Sequence, residues 1–520
     1  MRSFHQSPKP QGETIKAGIE HELTDEVTSA QTRKWAALHR IKTNSWPLVW
    51  CVYAIGVLVL SSFDNQAGSA VLGIPQFRKD FGHPYEGDYV LPAEWQSAYS
   101  GAPVASAIVG SLGSGVIADR FGRKRAYALC YLFMFTAITL ETVSTTNQVF
   151  FAGKLVVGFA IGGFTTVSMT YIAEISPVAL RGILTGAAAI AFAIGPLIVS
   201  FIVNETGTQP NRWAYRTIFV CQYGVSAVGA CLLPLVPESP WWLVAQRRDQ
   251  KAIRSLRRLG HNAEQAEEQK TAIFNTLENI RQETDGASYL ECFRKSNLRR
   301  TIIAVTPLSI QAFCGIYFVS LYSTYYQQLA GYSTKASFSL TIALDGLSTL
   351  GNITSWLLIN RVGRRNLTIW GIAILTALLC VTGGLAVAAT PSAIKGTVAL
   401  LLVYCYIYNA TIGATAYALL VEVATTRLRA KTASMALALQ NALFTMWAFV
   451  LPFLFNPDQA NLGAKVTFIF GGLGVFCTVY LWFYQPEIAG RSFEELDEMF
   501  MKRIPARQFK GYRAESKTEG

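Results

Sequence analysis

Three charged residues stand inside apolar sequence: Asp64 in Ser62-Phe-Asp-Asn-Gln66, Lys154 in Gly153-Lys-Leu-Val-Val-Gly158, and Asp345. A charge at the centre of a bilayer costs about 2.5–3.5 kcal/mol on insertion scales, so each needs a reason to be there. Burial disfavours an ionised carboxyl and a nearby cation favours it, so a carboxylate switched between the two takes up and releases a proton. Asp64 is therefore a candidate proton carrier, and the competing account is a fixed structural ion pair. Asp345 has three accounts: contact with a substrate hydroxyl, a second protonation site, or a wet outer edge. No hydrolase triad, nucleotide-binding loop or metal-ligand cluster is found, so the chain is expected to be no enzyme and to hold no metal or cofactor.

These charges are positioned by apolar runs of roughly 18–25 residues, the length a helix needs to cross about 30 Å of hydrocarbon. The 520-residue chain is 51% hydrophobic and 15% charged, where a soluble protein carries about a quarter charged residues. Its net charge of +12 sits between the apolar runs and in the tails, without an aromatic-interleaved groove, so nucleic acid is not expected as a partner. All nine cysteines except Cys292 fall in apolar runs and read as buried small hydrophobes.

The expected fold class is an all-α membrane protein of twelve transmembrane helices in two pseudo-symmetric six-helix halves. The first half holds spans at 46–73, 97–118, 126–144, 148–174, 182–204 and 215–236. The second holds 301–328, 337–359, 366–389, 395–423, 432–455 and 464–485. A polar linker with short helices occupies 237–300, and tails occupy 1–45 and 486–520. The first tail has no apolar core and reads as cytosolic rather than as a cleaved leader. Connections after even-numbered spans are the basic ones, which places both tails and the linker in the cytosol.

The halves repeat one another at an offset of roughly 240–250 residues. Asp119-Arg120-Phe-Gly-Arg123-Lys-Arg125 answers to Asn360-Arg361-Val-Gly-Arg364-Arg365. Glu174 and Arg181 answer to Glu422 and Arg429, and Pro237-Glu238 to Pro486-Glu487. Acids at helix ends beside loop arginines are expected to latch the two halves on the cytosolic side; the bland account is that the arginines only anchor the chain.

These motifs resemble the sugar porter family of the major facilitator superfamily over almost the whole chain. The match rests on Gly115-x-x-x-Asp119-Arg120-x-Gly122-Arg123-Lys124, Tyr171-x-x-Glu174-x-Ser176-Pro177-x-x-x-Arg181-Gly182, Pro237-Glu-Ser-Pro240 and Pro486-Glu-x-x-Gly490-Arg491. Pro237-Glu-Ser-Pro-Trp-Trp-Leu-Val244, Tyr322-Ser-Thr-Tyr325 and Tyr417 ahead of Glu422 resemble the fungal maltose and α-glucoside proton symporter branch. The resemblance implies that Asp64 binds the proton and that Lys154, where hexose porters carry Arg, is its ionic partner. Asp345 joins them as a coupling candidate.

Sugars are read by amides and hydroxyls with aromatic rings under their apolar faces. The candidates are Gln311, Tyr317, Tyr322, Tyr325, Ser348, Tyr417, Gln440 and Asn441; each aromatic could equally be packing. Relative to the hexose pattern, amides give way to Ala189 and Ala312 and tyrosines are gained at 317 and 417, which suits a glycoside or disaccharide, or a non-sugar, better than free glucose. The leading expectation is proton-coupled uptake of an α-glucoside or related sugar by alternating access. The alternatives are a proton-linked exporter or importer of a non-sugar metabolite and a non-transporting sugar sensor. Expected partners are the sugar, protons and the lipid bilayer of the plasma membrane, with the chain working as a monomer.

Overall fold

The structure, a computed structural model, describes residues 45–177, 181–284, 288–388, 390–425, 428–489, 491 and 493–512. The N-terminal tail and residues beyond 512 therefore lie outside the described residues. Eleven described helices are long and apolar enough to cross a bilayer, and the shorter apolar stretch Ile190–Thr206 stands at the fifth span.

The N-terminal half runs α1 (Ser45–Ala70), α2 (Pro75–Phe81), α3 (Ala93–Phe121), α4 (Arg123–Val143), α5 (Asn147–Ile175), α6 (Arg181–Thr206) and α7 (Trp213–Leu232). The linker supplies α8 (Pro240–Ala245), α9 (Asp249–Arg258) and α10 (Ala263–Thr284). The C-terminal half runs α11 (Lys295–Phe313), α12 (Ile316–Leu329), α13 (Thr334–Val362), α14 (Arg364–Ala388), α15 (Pro391–Ala410), α16 (Ile412–Val423), α17 (Arg429–Phe455) and α18 (Thr467–Tyr484). A short α19 (Phe493–Met501) follows. In lipid every backbone polar group must be satisfied within the segment, which is why these apolar runs are helical. The Gly-rich stretch of α5 lets it press on α3: a β-carbon at Gly162 would run into the Ala107 carbonyl.

Three local features depart from a plain helix count. After the first span, α2 and a small hairpin, β1 (His83–Tyr85) antiparallel to β2 (Asp88–Val90), cap one end of the bundle. Its turn residues Glu86 and Gly87 both have positive φ, 47° and 90°, as a tight two-residue turn demands. The seventh span is broken at Gly315, whose left-handed φ of 85° separates α11 from α12. The tenth is broken at Thr411, with φ −119° and ψ −99°, between α15 and α16. Interrupted spans of this kind are tolerated only where protein or a polar cavity satisfies the freed backbone groups.

The halves touch at the hairpin end. There the Gln96 side chain donates to Asn456 Oδ1 at 2.8 Å, and Asn456 donates to the Leu91 carbonyl at 3.0 Å. Arg78 donates to Gln328 at 2.7 Å and lies over the Tyr325 ring. At the opposite end sits the linker, whose small core is Trp242, Leu243, Val244, Ala252 and Ile273.

Candidate functional site

Helix α1 carries Asp64 inward, and α5 brings Lys154 to it from the other side of the N-terminal half. Lys154 Nζ lies 3.4 Å from Asp64 Oδ2, and both side chains are buried. The sequence pairing of these two residues is thus met in space. The structure adds two partners that sequence reasoning missed. Glu141 of α4 reaches the same ammonium at 3.0 Å, and Gln222 of α7 donates to Asp64 Oδ1 at 3.2 Å. Phe150 and Phe219 wall the ammonium, with ring centroids 5.7 and 5.4 Å away. Two carboxylates and one ammonium leave a net formal charge of −1 in a site sealed from water. A signal for Glu141 was present, since it is an acid inside the apolar run at 126–144.

Asp345 does not join this cluster. It sits on α13 and accepts a 2.5 Å hydrogen bond from Ser200 on α6, so it spans the contact between the two halves. It is buried rather than at a wet outer edge, which removes that account of it.

In the C-terminal half the two helix breaks face each other. Gln311, one turn before the first break, donates to the Ile412 carbonyl just after the second, at 3.0 Å. Tyr404 donates to the Cys314 carbonyl at 2.6 Å. The breaks thereby satisfy each other's loosened backbone, as discontinuous spans must. Gln440 of α17 donates to Gln311 Oε1 at 2.6 Å, so these two candidate amides form one network. Tyr417 stands beside Gln440 yet is 49% exposed, and Asn441 is half-buried.

The other candidates divide. Tyr317 is half-buried and stacks on Phe444 at 5.6 Å. Tyr322 and Tyr325 are buried and both pack on Phe455 at 5.7 Å, toward the hairpin end. The bland packing account therefore fits Tyr325, held under Arg78. Ser348 is half-buried beside Cys405. The side chain of Ala189 lies outside the described residues.

At the linker end the repeated acids and arginines make two matching assemblies. Arg123 grips Glu174 with a fork of 2.6 and 3.0 Å, and Arg364 grips Glu422 at 3.1 and 3.2 Å. Glu238 accepts the backbone N–H groups of Arg123 and Lys124 at the start of α4. Glu487 does the same for Arg364 and Arg365 at the start of α14. Carboxylates at helix N-termini meet the orphan N–H donors and the positive end of the helix dipole. Burial pushes the Glu238 carboxyl up, and the N–H groups of Ser239, Lys124 and Arg123 pull it back down.

Glycine is required at both corners. Gly122 has φ +100° and Gly363 φ +87°, and a β-carbon on either would lie 2.5 Å from the Glu238 or Glu487 carboxylate. These pairs correct the expected latch: each closes inside its own half and none of the forks or caps bridges the halves. The physical reason is reach, because each acid ends a helix packed beside its own half's loop. Asp119 is exposed and 3.4 Å from Arg123, while Arg120 and Arg361 are exposed and Arg429 is half-buried. The Arg181 side chain lies outside the described residues.

A profile described as sugar (and other) transporter matches residues 24–500. A maltose permease, MAL61, of Saccharomyces cerevisiae is 29% identical over 90% of this chain and 78% of its own length. A general alpha-glucoside permease of the same yeast is 27% identical over 94% of this chain and 81% of its own. Among solved structures, the inward open xylose transporter XylE from E. coli superposes with a TM-score of 0.72 at 20% identity, covering 87% of this chain and 99% of that one. The partially occluded inward open form gives 0.71 at 19% identity over 86% and 100%.

Proposed function

The chain belongs to the sugar (and other) transporter family, and we propose that it takes up an α-glucoside together with a proton by alternating access. The observation that carries the coupling is the buried Asp64–Lys154–Glu141 cluster, in which two carboxyl groups share one ammonium, a formal charge of −1 with both acids ionised. One added proton makes the cluster neutral, and a neutral cluster is far cheaper to keep out of water while the halves reorient. Asp64 is the proton carrier, Lys154 the cation that both acids compete for, and Glu141 the acid that holds Lys154 when Asp64 is protonated.

The substrate lies between the two helix breaks. Gln311, Gln440 and Tyr417 supply the amides and the aromatic face, with Asn441 beside them. The contacts that join the halves at the hairpin end support a state closed at that end, and the basic connections support a cytosolic linker. The α-glucoside reading is supported by the yeast permeases to which the chain is similar.

The test is uptake of labelled maltose in yeast stripped of its own maltose and hexose carriers. Uptake that rises at acidic external pH and is abolished by a protonophore is expected. Surface-exposed protein that moves neither maltose nor another α-glucoside would overturn the substrate, and uptake indifferent to the protonophore would overturn the coupling.

A further inference from the structure

We propose that a cavity between the linker and the N-terminal half binds a ligand carrying two or more phosphate groups. The cavity has a volume of about 360 Å³ and lies where α3, α4, α8 and α9 meet. That is within the range of roughly 300–1,000 Å³ that small-molecule sites occupy. Its wall carries five cations: Arg125 from the first turn of α4, Arg248 ahead of α9, and Lys251, Arg254 and Arg258 from α9 itself. The last three are spaced i, i+3 and i+7, so they share one face of the helix.

Five cations face one carboxylate, Glu238, and that carboxylate is already engaged with the backbone N–H groups of Arg123, Lys124 and Ser239. Like charges three and four apart on a helix weaken it, and among the described residues only Arg248 of the five has a side-chain partner, lying over the Trp242 ring at 5.2 Å. The five side chains are exposed and their charged ends are available. The floor, by contrast, is built: Trp242 is buried and donates its indole N–H to the Asp119 carbonyl at 2.7 Å, and the Ser255 hydroxyl donates to the Glu238 carbonyl at 2.5 Å. A fixed floor beside four guanidinium groups and one ammonium suits recognition of phosphate oxygens, bidentate where the guanidinium forks supply it.

The lining includes the exposed Phe121 at the end of the α3 span. An inositol phospholipid head group and a soluble polyphosphate share the chemistry this wall would read. The cytosolic placement of the cavity rests on the orientation given above, whereas its binding does not depend on transport.

The experiment uses the purified full chain, so it stands whether or not maltose is carried. In one arm the protein is placed in phosphatidylcholine nanodiscs with and without phosphatidylinositol 4,5-bisphosphate. In the other, inorganic triphosphate is titrated onto protein in neutral detergent, and thermal unfolding and direct binding are read in both. Arg254→Glu with Arg258→Glu is compared with Lys335→Glu, a charge reversal on the hairpin end. Binding that falls roughly tenfold or more in the double variant, but not in Lys335→Glu, is expected. Response in the nanodisc arm alone assigns the lipid, and response to triphosphate as well assigns the soluble ligand. No binding of either probe, or equal binding by the folded double variant, overturns the site. Arg254→Gln with Arg258→Gln, which keeps the helix, serves if the reversal elutes aggregated.

Discussion

Lys154 lies nearer to Glu141, at 3.0 Å, than to Asp64, at 3.4 Å. The cation therefore has a standing alternative to Asp64 and need not lose an ionic partner when Asp64 is neutralised. Charge arithmetic then treats the acids alike: removing either leaves a neutral pair with no call for a proton. Asp64→Asn and Glu141→Gln are both expected to abolish accumulation of maltose above the external concentration while exchange between labelled and unlabelled sugar continues. Accumulation that survives in Glu141→Gln would confine the coupling to Asp64.

Removing the shared cation is a different injury. Lys154→Met leaves two buried carboxylates without a counter-charge, and breaking a buried pair costs about 3–5 kcal/mol. The expected outcome is a strongly reduced yield of folded protein, read by detergent size exclusion, and recovery when Asp64→Asn and Glu141→Gln are added together.

The amide network predicts a binding defect of known size. Gln440→Ala removes an amide proposed to meet the sugar and the donor that orients Gln311, and a substrate hydroxyl left unpaired in the closed site costs about 1–3 kcal/mol of binding. The KM for maltose should rise roughly tenfold or more with surface abundance unchanged. A KM at the parent value would remove the break region from the substrate path.

The two glycine corners should respond as a pair. Gly122→Ala and Gly363→Ala each force a side chain into a backbone region that costs about 1–3 kcal/mol and push it onto a capping carboxylate. Both variants should unfold at lower temperature, by similar amounts, in a thermal melt of the purified protein. A fall in one and not the other would break the equivalence of the halves.

The contacts at the hairpin end make a prediction about accessibility. Asn456→Ala deletes bonds to Gln96 and to the Leu91 carbonyl, which help to hold that end shut. In a cysteine-free background, Ser97→Cys should react faster with a membrane-impermeant maleimide once Asn456 is removed. An unchanged rate would mean that these bonds do not set the opening.

Much of this was legible in the sequence because it is local or repeated. Apolar runs marked the spans, and the spacing of Glu174, Glu238, Glu422 and Glu487 marked two equivalent corners. What the repeat could not say was which half each acid would face, since a one-dimensional pattern fits an arginine in its own half as well as one across the gap. Glu141 and Gln222 escaped for a related reason: their meaning comes from the helix opposite, and Glu141 sits near a span end where acids are common. The spans 301–328 and 395–423 read as unbroken in sequence; Gly315 allows the left-handed turn of the first break, and at the second the freed Ile412 carbonyl is met by the Gln311 amide from α11.

The linker is fastened to one half. Trp242 and Gln246 both donate to the Asp119 carbonyl at the end of α3, whereas Tyr289 meets Ser434 of the other half. Helix α8 is therefore bonded to the N-terminal bundle, and α9 packs on α8. A ligand seated among Lys251, Arg254 and Arg258 would meet the same wall in every state of the cycle. With equal affinity for each state it could not shift the balance between them. Such a ligand leaves the intrinsic bias of the carrier as it found it, and where it is a membrane lipid it also ties the moving body to the bilayer surface.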